Sequence, residues 1–434
     1  MSDKSKREYT LLKSQVYRLA PRAKRKAILT EYCAVTEHKP SYARKLLNGN
    51  RKYRVRKARG NTYTAEARQA LVDVWNSIGC PCPEYLQVQI ADYAQSYSEH
   101  VAYIKPETLT QLLKMSASTM TRILKKLPRK KLGYTKANKR SGKNINNPIK
   151  AMTPCRSGET IMACKANPGD MQMDTFALGG GNPCDNFFWV LTGTDRKSQW
   201  TVLAPTWNRG QNATVQALAS IFAAIPFPVT SLHSDNGSEF LNYHMDAFLK
   251  SLKNPPEFSR SRPRHSNDNA HVEQKNRSVG RQLFGEMRLD CRDLQSLLEK
   301  LCFEWSIFTN FFVPCKMLIS KEKRANGKGF RCRYDNPKTP FERLLREHIL
   351  TPEKEARLHQ LKAKYSSTEL YHSIAKLLKK IVRIQKAYDA AKSRGEAFSF
   401  ASRSASTLRV APAGTAPLPR EGAPTPLSPT YTNP

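Results

Sequence analysis

The chain has 434 residues and a formal charge of +36, from 72 lysines and arginines against 36 acidic residues. This length exceeds what one hydrophobic core supports, and the charge excess points to a polyanionic partner. The sequence has no apolar stretch long enough to span a membrane, no apolar signal-peptide core and no Cys-x-x-Cys pair. We therefore expect a cytoplasmic protein that binds nucleic acid, with neither a membrane anchor nor a structural zinc site.

Residues 1–60 are predicted to form a helix-turn-helix module. Apolar residues recur at helical spacing over 22–35, and a second short helix follows over 41–47. Arg44 and Lys45 on the second helix are predicted to contact DNA phosphates. A helical hairpin with a solvated basic face explains the pattern equally well. The residues predicted to face inward from the first helix are Ala27, Ile28, Tyr32 and Val35.

A second helical domain is predicted over residues 61–127, and it ends in a stronger helix-turn-helix candidate. Helices over 107–114 and 118–126 flank a short turn, with Ser118 as the expected N-cap. Met120, Ile123 and Leu124 are expected to pack inward. The residues expected to contact DNA are Thr119, Arg122, Lys125 and Lys126. Residues 128–164 are predicted to be a linker, whose first part is basic and free of acids, so that it attracts DNA phosphates.

The pattern changes over residues 165–290, which are predicted to form an α/β catalytic core. Three consecutive strands form an antiparallel meander, and helices then alternate with two further strands. This order is that of a ribonuclease-H-like sheet, in which the fourth strand lies beside the first. The predicted strands are 171–178, 186–194, 199–207, 229–235 and 257–262, and the predicted helices are 212–225, 243–252 and 267–284.

The remainder of the chain is predicted to be basic and less regular. Residues 291–345, assigned to DNA binding or an accessory role, contain a helix over 294–303, an apolar run over 308–313 and a basic, loop-rich stretch. Residues 346–395 are predicted to form an amphipathic basic helix, which packs on another subunit, on DNA or on its own chain. Residues 396–434, rich in proline, alanine, serine and threonine, are predicted to be disordered.

Three acids are candidates for catalysis and metal binding. Asp174 lies inside the first predicted strand, where a carboxylate is costly unless it is paired or binds a metal. Asp235 ends the fourth strand, at the edge of the sheet where α/β proteins bind ligands. Glu273 falls in the first turns of a helix that leans over the strand ends. Three such oxygen ligands suit Mg²⁺ or Mn²⁺, and a pair of these ions supports in-line phosphoryl transfer without a side-chain nucleophile.

Any one of these acids, taken alone, is more often a cap, a turn residue or a surface group. The neighbouring acids are assigned to those ordinary roles, and they are Asp170, Asp185, Asp195, Glu239 and Asp268. His233 shares the face of Asp235 but is expected to be a structural histidine. The helix of Glu273 also carries basic residues predicted to contact DNA, namely Lys275, Arg277 and Arg281.

The three acids lie in the segments PGDMQMDTF, HSDNGSEF and NDNAHVEQKN, which resemble the acidic triad of the DDE transposase and retroviral-integrase superfamily. The chain is most similar to bacterial insertion-sequence transposases, whose C-terminal part resembles TNFFVPCKM and NPKTPFERLL. The resemblance implies that Asp174, Asp235 and Glu273 bind two Mg²⁺ or Mn²⁺ ions for cleavage of transposon ends and 3′-OH attack on target DNA. It also implies a homo-oligomer on double-stranded DNA at the bacterial nucleoid.

Two departures from that superfamily accompany the resemblance. The interval between Asp235 and Glu273 is slightly longer than usual, and the N-terminal region lacks the His-His-Cys-Cys zinc module of retroviral integrases. Helix-turn-helix candidates stand in place of that module. Two alternatives to a transposase remain open: a ribonuclease-H-like DNA nuclease that does not join strands, and a DNA-binding regulator with a silent core.

Overall fold

The structure is a computed structural model that divides into two compact units, Met1–Thr64 and Ala65–Pro434. No helix among the described residues is long and apolar enough to cross a bilayer. Most of the predicted linker and nearly all of the predicted tail lie outside the described residues. The structure describes residues 2–49, 62–128, 153, 155–156, 166–182, 184–262, 270–276, 280–324, 329–396 and 398.

The described residues of the N-terminal unit form three helices, α1 (Asp3–Leu19), α2 (Arg22–Thr36) and α3 (Pro40–Leu47). Helix α1 was not predicted from the sequence. Among its described side chains, Thr10, Ser14 and Tyr17 are buried, while Leu11, Leu12, Val16 and Leu19 are exposed, so apolar periodicity does not mark its inward face. The predicted pair of helices is present as α2 and α3.

The inward face of α2 differs from the predicted one. Leu29, Tyr32 and Thr36 are buried, whereas Ala27 and Val35 are exposed. The Tyr32 hydroxyl shares a 2.6 Å hydrogen bond with the Thr10 hydroxyl of α1. Because a buried tyrosine hydroxyl needs such a partner, this contact helps to set the rotation of α2.

The second unit begins with five helices: α4 (Ala65–Ser77), α5 (Pro83–Val88), α6 (Ile90–His100), α7 (Pro106–Lys114) and α8 (Ala117–Leu124). Helix α8 is capped by Ser116, whose hydroxyl accepts the Thr119 N–H at 3.3 Å, and the predicted cap at Ser118 is wrong. Met120 and Leu124 are buried, as predicted, and Ile123 is half-buried.

A six-stranded mixed sheet with the order β1-β6-β5-β2-β3-β4 forms the centre of this unit. Strands β2, β3 and β4 are antiparallel, whereas β5, β6 and β1 continue from β2 in parallel. The predicted ribonuclease-H-like order is thereby confirmed. The strands are β1 (Cys155–Arg156), β2 (Asp170–Ala177), β3 (Phe188–Asp195), β4 (Thr201–Trp207), β5 (Ser231–Ser234) and β6 (Glu257–Ser261).

Strand β1 lies inside the stretch that was predicted to be a linker. Four helices accompany the sheet. They are α9 (Gln211–Ala224), α10 (Tyr243–Ser251), α11 (Ala270–Lys275) and α12 (Arg281–Phe284). The last two fall within the single helix predicted over 267–284.

A long helix, α13 (Gln295–Phe312), covers the outer edge of the sheet. The Asn310 side chain accepts the Thr201 N–H and donates to the Thr201 carbonyl, both at 2.8 Å. The Ser306 hydroxyl accepts the Leu203 N–H at 3.1 Å. These bonds satisfy backbone groups of edge strand β4, which would otherwise offer a template for pairing. The predicted helix over 294–303 and apolar run over 308–313 are therefore one continuous element.

The region after α13 is more regular than predicted. The stretch described as loop-rich contains a hairpin, β7 (Leu318–Lys323) and β8 (Phe330–Tyr334). It is followed by α14 (Pro340–Arg346), and the single amphipathic helix of the prediction is two helices, α15 (Pro352–Lys364) and α16 (Ser367–Ser393).

Helix α16 packs on its own chain, which confirms one of the three predicted alternatives for its apolar face. Leu370, Ile374, Leu378 and Ile381 of the predicted stripe are buried, and Leu377 is half-buried. At its start, the Thr368 N–H donates to the Ser96 hydroxyl of α6 at 3.0 Å. These contacts join the segment 65–127, expected to be a separate domain, to the C-terminal helices.

Candidate active site

Asp174 and Asp235 lie at the same edge of the sheet on neighbouring parallel strands. Strands β2 and β5 pair with a constant offset, which sets Asp170 opposite Ser231 and Gln172 opposite His233. The same offset relates Asp174 to Asp235, which directly follows β5. Because adjacent strands run about 4.8 Å apart and side chains alternate between faces, the two positions share one face of the sheet. Both residues are half-buried.

The loop after β5 holds the Asp235 carboxylate in place. Its Oδ1 accepts the Gly237 N–H at 2.9 Å, a local bond typical of aspartate in a turn. The Asn236 side chain donates to the Ser261 carbonyl at 2.7 Å and accepts from Arg260 at 3.1 Å, which ties this loop to β6. Asp235 is therefore oriented by contacts within the protein.

His233 is a structural residue, as predicted. It is buried, and its ring nitrogens lie 2.9 Å from the Ser259 hydroxyl and 3.1 Å from the Ser261 hydroxyl. Both partners belong to β6. The histidine thus cross-links two strands beneath the Asp235 loop.

The Asp174 carboxylate is held from two sides. Its Oδ1 accepts the Thr175 N–H at 2.8 Å, and its Oδ2 accepts the Asn276 side-chain amide at 2.7 Å. The other amide atom, Asn276 Oδ1, is buried without a hydrogen-bond partner. An oxygen with unused lone pairs therefore lies next to Asp174.

Helix α11 runs alongside β2 and brings Glu273 to this edge. The Val272 N–H donates to Gln172 Oε1 at 3.3 Å, and Asn276 bonds to Asp174. Four residues along a helix and two residues along a strand both advance by roughly 6 Å, so the spacing of the two contacts on the helical segment matches their spacing on β2. Glu273 lies between these contact points in the helix. Its side chain is outside the described part of the structure.

Glu239 is a further acid at the site, which the sequence analysis assigned to an ordinary turn or surface role. Its side chain is 1% exposed, its Oε1 accepts from Arg209 Nε at 2.6 Å and from the Thr175 hydroxyl at 3.2 Å, and its Oε2 has no partner. Burial raises the pKa of Glu239, the Arg209 charge opposes this shift, and the Asp235 charge adds to it.

A sequence signal for the burial of Glu239 exists in hindsight. Phe240 and Leu241, which directly follow it, are both fully buried. An acid that precedes two apolar residues in a turn is drawn inward with them. The carboxylate also lies directly over Gly237, where an added Cβ would come within 2.6 Å of both carboxylate oxygens.

Comparison with known families identifies the segment that carries this site. Residues 165–264 match the family model described as "Integrase core domain". This segment is an integrase-type core. Domains of this type belong to polynucleotidyl transferases, a class of enzymes that act on DNA.

Two further likenesses accompany the integrase-type core. The chain is 28% identical over 336 residues to "Uncharacterized protein y4rM" of Sinorhizobium fredii (strain NBRC 101917 / NGR234). The aligned region covers 75% of this chain and 91% of that protein. The structure is similar to the catalytic core domain of BIV integrase with a TM-score of 0.28 and 16% identity, covering 42% of this chain and 97% of that one. The fold assignment comes from the strand order and from the matched segment.

The other acids that the sequence analysis assigned to ordinary roles are structural or surface groups where the structure describes them. Asp195 lies at the opposite edge of the sheet, where it accepts the N–H and O–H of Ser198 at 2.6 Å and the Gly169 N–H at 2.9 Å. Burial raises its pKa to about 6. Asp170 accepts the Ser231 hydroxyl at 2.7 Å. Asp185 is on the surface, and Asp268 lies outside the described residues.

The basic residues predicted to surround Glu273 are only partly described. Lys275 is half-buried, and burial lowers its pKa, with Cys315 opposing and Arg343 adding to the shift. It is therefore less accessible to DNA than predicted. Arg277 is outside the described residues, and Arg281 begins α12 with its side chain also outside them.

The oxygen groups at the carboxyl edge of the integrase-type core suit a hard divalent cation. The Asp174 and Asp235 carboxylates and the unpartnered atom Asn276 Oδ1 lie there. Within the described side chains, no group of three His, Cys, Asp or Glu residues is arranged to hold a metal. Glu273, the third member of the predicted set, is not one of these side chains.

Proposed function

We propose that this protein is a DNA transposase that binds transposon ends and joins them to target DNA by metal-dependent phosphoryl transfer. The observation that carries the proposal is the shared register of Asp174 and Asp235 at the carboxyl edge of the integrase-type core. Glu273 completes the set from helix α11, which contacts β2 through Val272 and, directly after the helix, through Asn276. The proposed setting is the cytoplasm at the bacterial nucleoid, with a homo-oligomer on double-stranded DNA.

Asp174, Asp235 and Glu273 are the residues that would hold one or two Mg²⁺ or Mn²⁺ ions. Bound there, such ions activate the attacking hydroxyl and stabilise the charge of the phosphoryl transition state. Asn276 fixes Asp174 through Oδ2, and the Gly237 N–H fixes Asp235 through Oδ1. Carboxylates that are already oriented need not reorganise when DNA arrives, and this preorganisation lowers the barrier to reaction.

Two helical segments supply the proposed recognition of DNA. Arg44 and Lys45 lie exposed in the last turn of α3. Arg122, Lys125 and Lys126 are exposed on or just after α8. Thr119 is half-buried and accepts a 3.1 Å hydrogen bond from Arg122, so it supports that guanidinium as well as the helix start.

The hairpin β7–β8 supplies a further proposed contact with DNA. Arg331 and Arg333 alternate with exposed Phe330 and Tyr334 on β8, and Lys321 lies 4.5 Å from the Phe330 ring centre. Strand β8 is exposed along its whole length, and a two-stranded ribbon buries little on its own. Its basic and aromatic side chains complement a DNA backbone, which is the accessory role predicted for residues 291–345.

Replacing both Arg122 and Lys125 with alanine is expected to weaken binding to transposon-end DNA by roughly tenfold or more and to leave nonspecific nicking of plasmid DNA unchanged. The reason is that these side chains belong to the proposed recognition helix, far along the chain from the catalytic acids. Fluorescence anisotropy on an end duplex, found by footprinting the DNA that flanks the gene, measures the first effect. Lys376→Ala with Lys379→Ala on α16 is the matched control. An equal loss of end binding and of nonspecific nicking would contradict the proposal that this helix recognises DNA without taking part in cleavage.

A donor–target assay tests the proposed function as a whole. A labelled transposon-end duplex with a free 3′-OH is incubated with plasmid DNA and Mg²⁺, and covalent joining of label to plasmid is the expected result. Nicks or hydrolysis without joined product would favour the nuclease alternative. Binding without any cleavage or joining would favour a regulator with a silent core.

A further inference from the structure

An arginine that the proposed chemistry does not use lies at the same edge of the sheet as Asp174 and Asp235. Strand β4 is antiparallel to β3 and ends at Trp207, so Arg209 follows it at the edge where β2 and β5 also end. Thr175, the residue after Asp174, shares the Glu239 carboxylate with Arg209. Arg209 is therefore connected to the catalytic edge through one carboxylate.

The Arg209 guanidinium is held in one orientation by two groups. Its Nε and Nη2 face Glu239 Oε1, and its central carbon lies 5.0 Å from the Trp189 ring centre. Trp189 in turn stacks on Phe187, with ring centres 5.5 Å apart and planes at 20°. A planar cation fixed over an aromatic face has already lost the rotamer freedom that a surface arginine loses on binding.

The two members of this ion pair differ sharply in exposure. The Glu239 side chain is 1% exposed, whereas the Arg209 side chain is 42% exposed. Glu239 is thus an internal anchor, and the guanidinium presents its remaining N–H donors to solvent. A buried carboxylate stabilises a fold weakly, because its desolvation offsets much of the attraction to its partner. The arrangement fits the positioning of the arginine better than it fits stabilisation of the fold.

The exposed donors suit a phosphate. Arginine offers five N–H donors in a fixed fork, of which Glu239 engages only part, and phosphate oxygens are the acceptors that this fork fits best. Because β2, β4 and β5 end at the same edge of the sheet, a DNA strand bound for reaction at Asp174 and Asp235 would lie on the side of the sheet that carries Arg209.

We infer that Arg209 binds a backbone phosphate of the DNA strand that lies across the Asp174–Asp235 edge, and that Glu239 and Trp189 are positioning residues for it. This inference rests on the proposed function for DNA as the ligand. It adds a contact that orients the strand and takes no part in the chemical step.

The test compares variants in a common background. Arg209→Ala alone would leave the Glu239 carboxylate buried and unpaired, which threatens folding. The comparison is therefore between Glu239→Gln and the double variants Glu239→Gln/Arg209→Ala and Glu239→Gln/Arg209→Lys. Binding of a short fluorescein-labelled duplex is measured by anisotropy at several salt concentrations, in Ca²⁺ without Mg²⁺ so that no cleavage occurs.

Relative to Glu239→Gln, the Arg209→Ala double variant is expected to bind about tenfold more weakly at low salt, with a slope of log K against log salt that is smaller by about 1. The Arg209→Lys double variant should keep the slope, because a lysine still neutralises one phosphate. Lys197→Ala is the matched control, since Lys197 pairs with Glu347 at the opposite edge of the sheet.

An unchanged slope in the Arg209→Ala double variant, or a change no larger than that of Lys197→Ala, would overturn the inference. Because this measurement involves no cleavage, it fails separately from the proposed function. If the slope of log K against log salt does not change, the proposal of strand joining still stands. If no strand joining is observed, the salt dependence of DNA binding can still be interpreted.

Discussion

Replacement of Asp235 by asparagine is expected to reduce Mg²⁺-dependent strand transfer by about a thousandfold or more, with binding of DNA preserved. The loss follows because an amide carries no charge and is a poor ligand for a hard cation, and metal stabilisation supplies several kcal/mol of the barrier reduction. The fold should survive, since an asparagine Oδ1 can still accept the Gly237 N–H that now bonds to Asp235 at 2.9 Å. The donor–target joining assay measures the effect, with anisotropy as the check on binding.

Asp185→Asn is the matched control, because Asp185 is an exposed acid of the same integrase-type core. It should leave joining unchanged. Asp174→Asn and Glu273→Gln should each match the loss in Asp235→Asn, and a double variant should lose little more, since ligands of one site act as a unit. Retained strand transfer in Asp235→Asn would remove this carboxylate from the mechanism.

Truncation of Phe311 to alanine is expected to lower the free energy of unfolding of the second unit by roughly 3–5 kcal/mol. Phe311 is fully buried near the end of α13, with ring centres 5.5 Å from Trp200 and 4.9 Å from Phe341. Its removal opens a cavity between the turn that precedes β4 and helix α14. Chemical denaturation followed by tryptophan fluorescence measures the change, and strand joining at low temperature shows whether the remaining fold is native.

Phe303→Ala provides the comparison for this prediction, because Phe303 lies on the same helix with 49% of its surface exposed. It should cost less than about 1 kcal/mol. A similar loss in both variants would contradict the prediction, because exposed Phe303 would then contribute as much as buried Phe311, although alanine has the higher helix propensity. A small loss in both would mean that the sheet does not depend on this helix.

The contacts of α13 bear on where the unit that contains the candidate site ends. The family model of the integrase-type core matches residues 165–264, but the backbone N–H groups of edge strand β4 donate to Ser306 and Asn310, which lie outside that segment. Helix α16 then joins α13 to the helices of segment 65–127. The sheet that carries the candidate site is therefore completed by elements well outside the matched segment.

The positions of the strands along the chain and the two aspartates could be predicted from local patterns. Alternating residues, the Asn236-Gly237 turn and the run of apolar residues before Asp235 each act over a few positions. The equal spacing that relates Asp170 to Ser231 and Asp174 to Asp235 follows once the fourth strand is set beside the first. Short-range rules of this kind were enough to locate these strands along the chain and to nominate the two aspartates, whereas the place of the fourth strand beside the first followed from the likeness to a ribonuclease-H-like sheet.

Other features depend on contacts between residues far apart in the chain, which no local pattern contains. Glu239 belongs to the candidate site because Arg209 and Thr175 form hydrogen bonds with it. The buried positions of helix α1 include Thr10 and Ser14, which are polar, so an apolar pattern does not reveal that face. Asn276 matters because its amide meets Asp174 across 102 positions. Sequence periodicity reports apolar burial, whereas a buried polar group becomes recognisable only when its hydrogen-bond partner is brought beside it by folding.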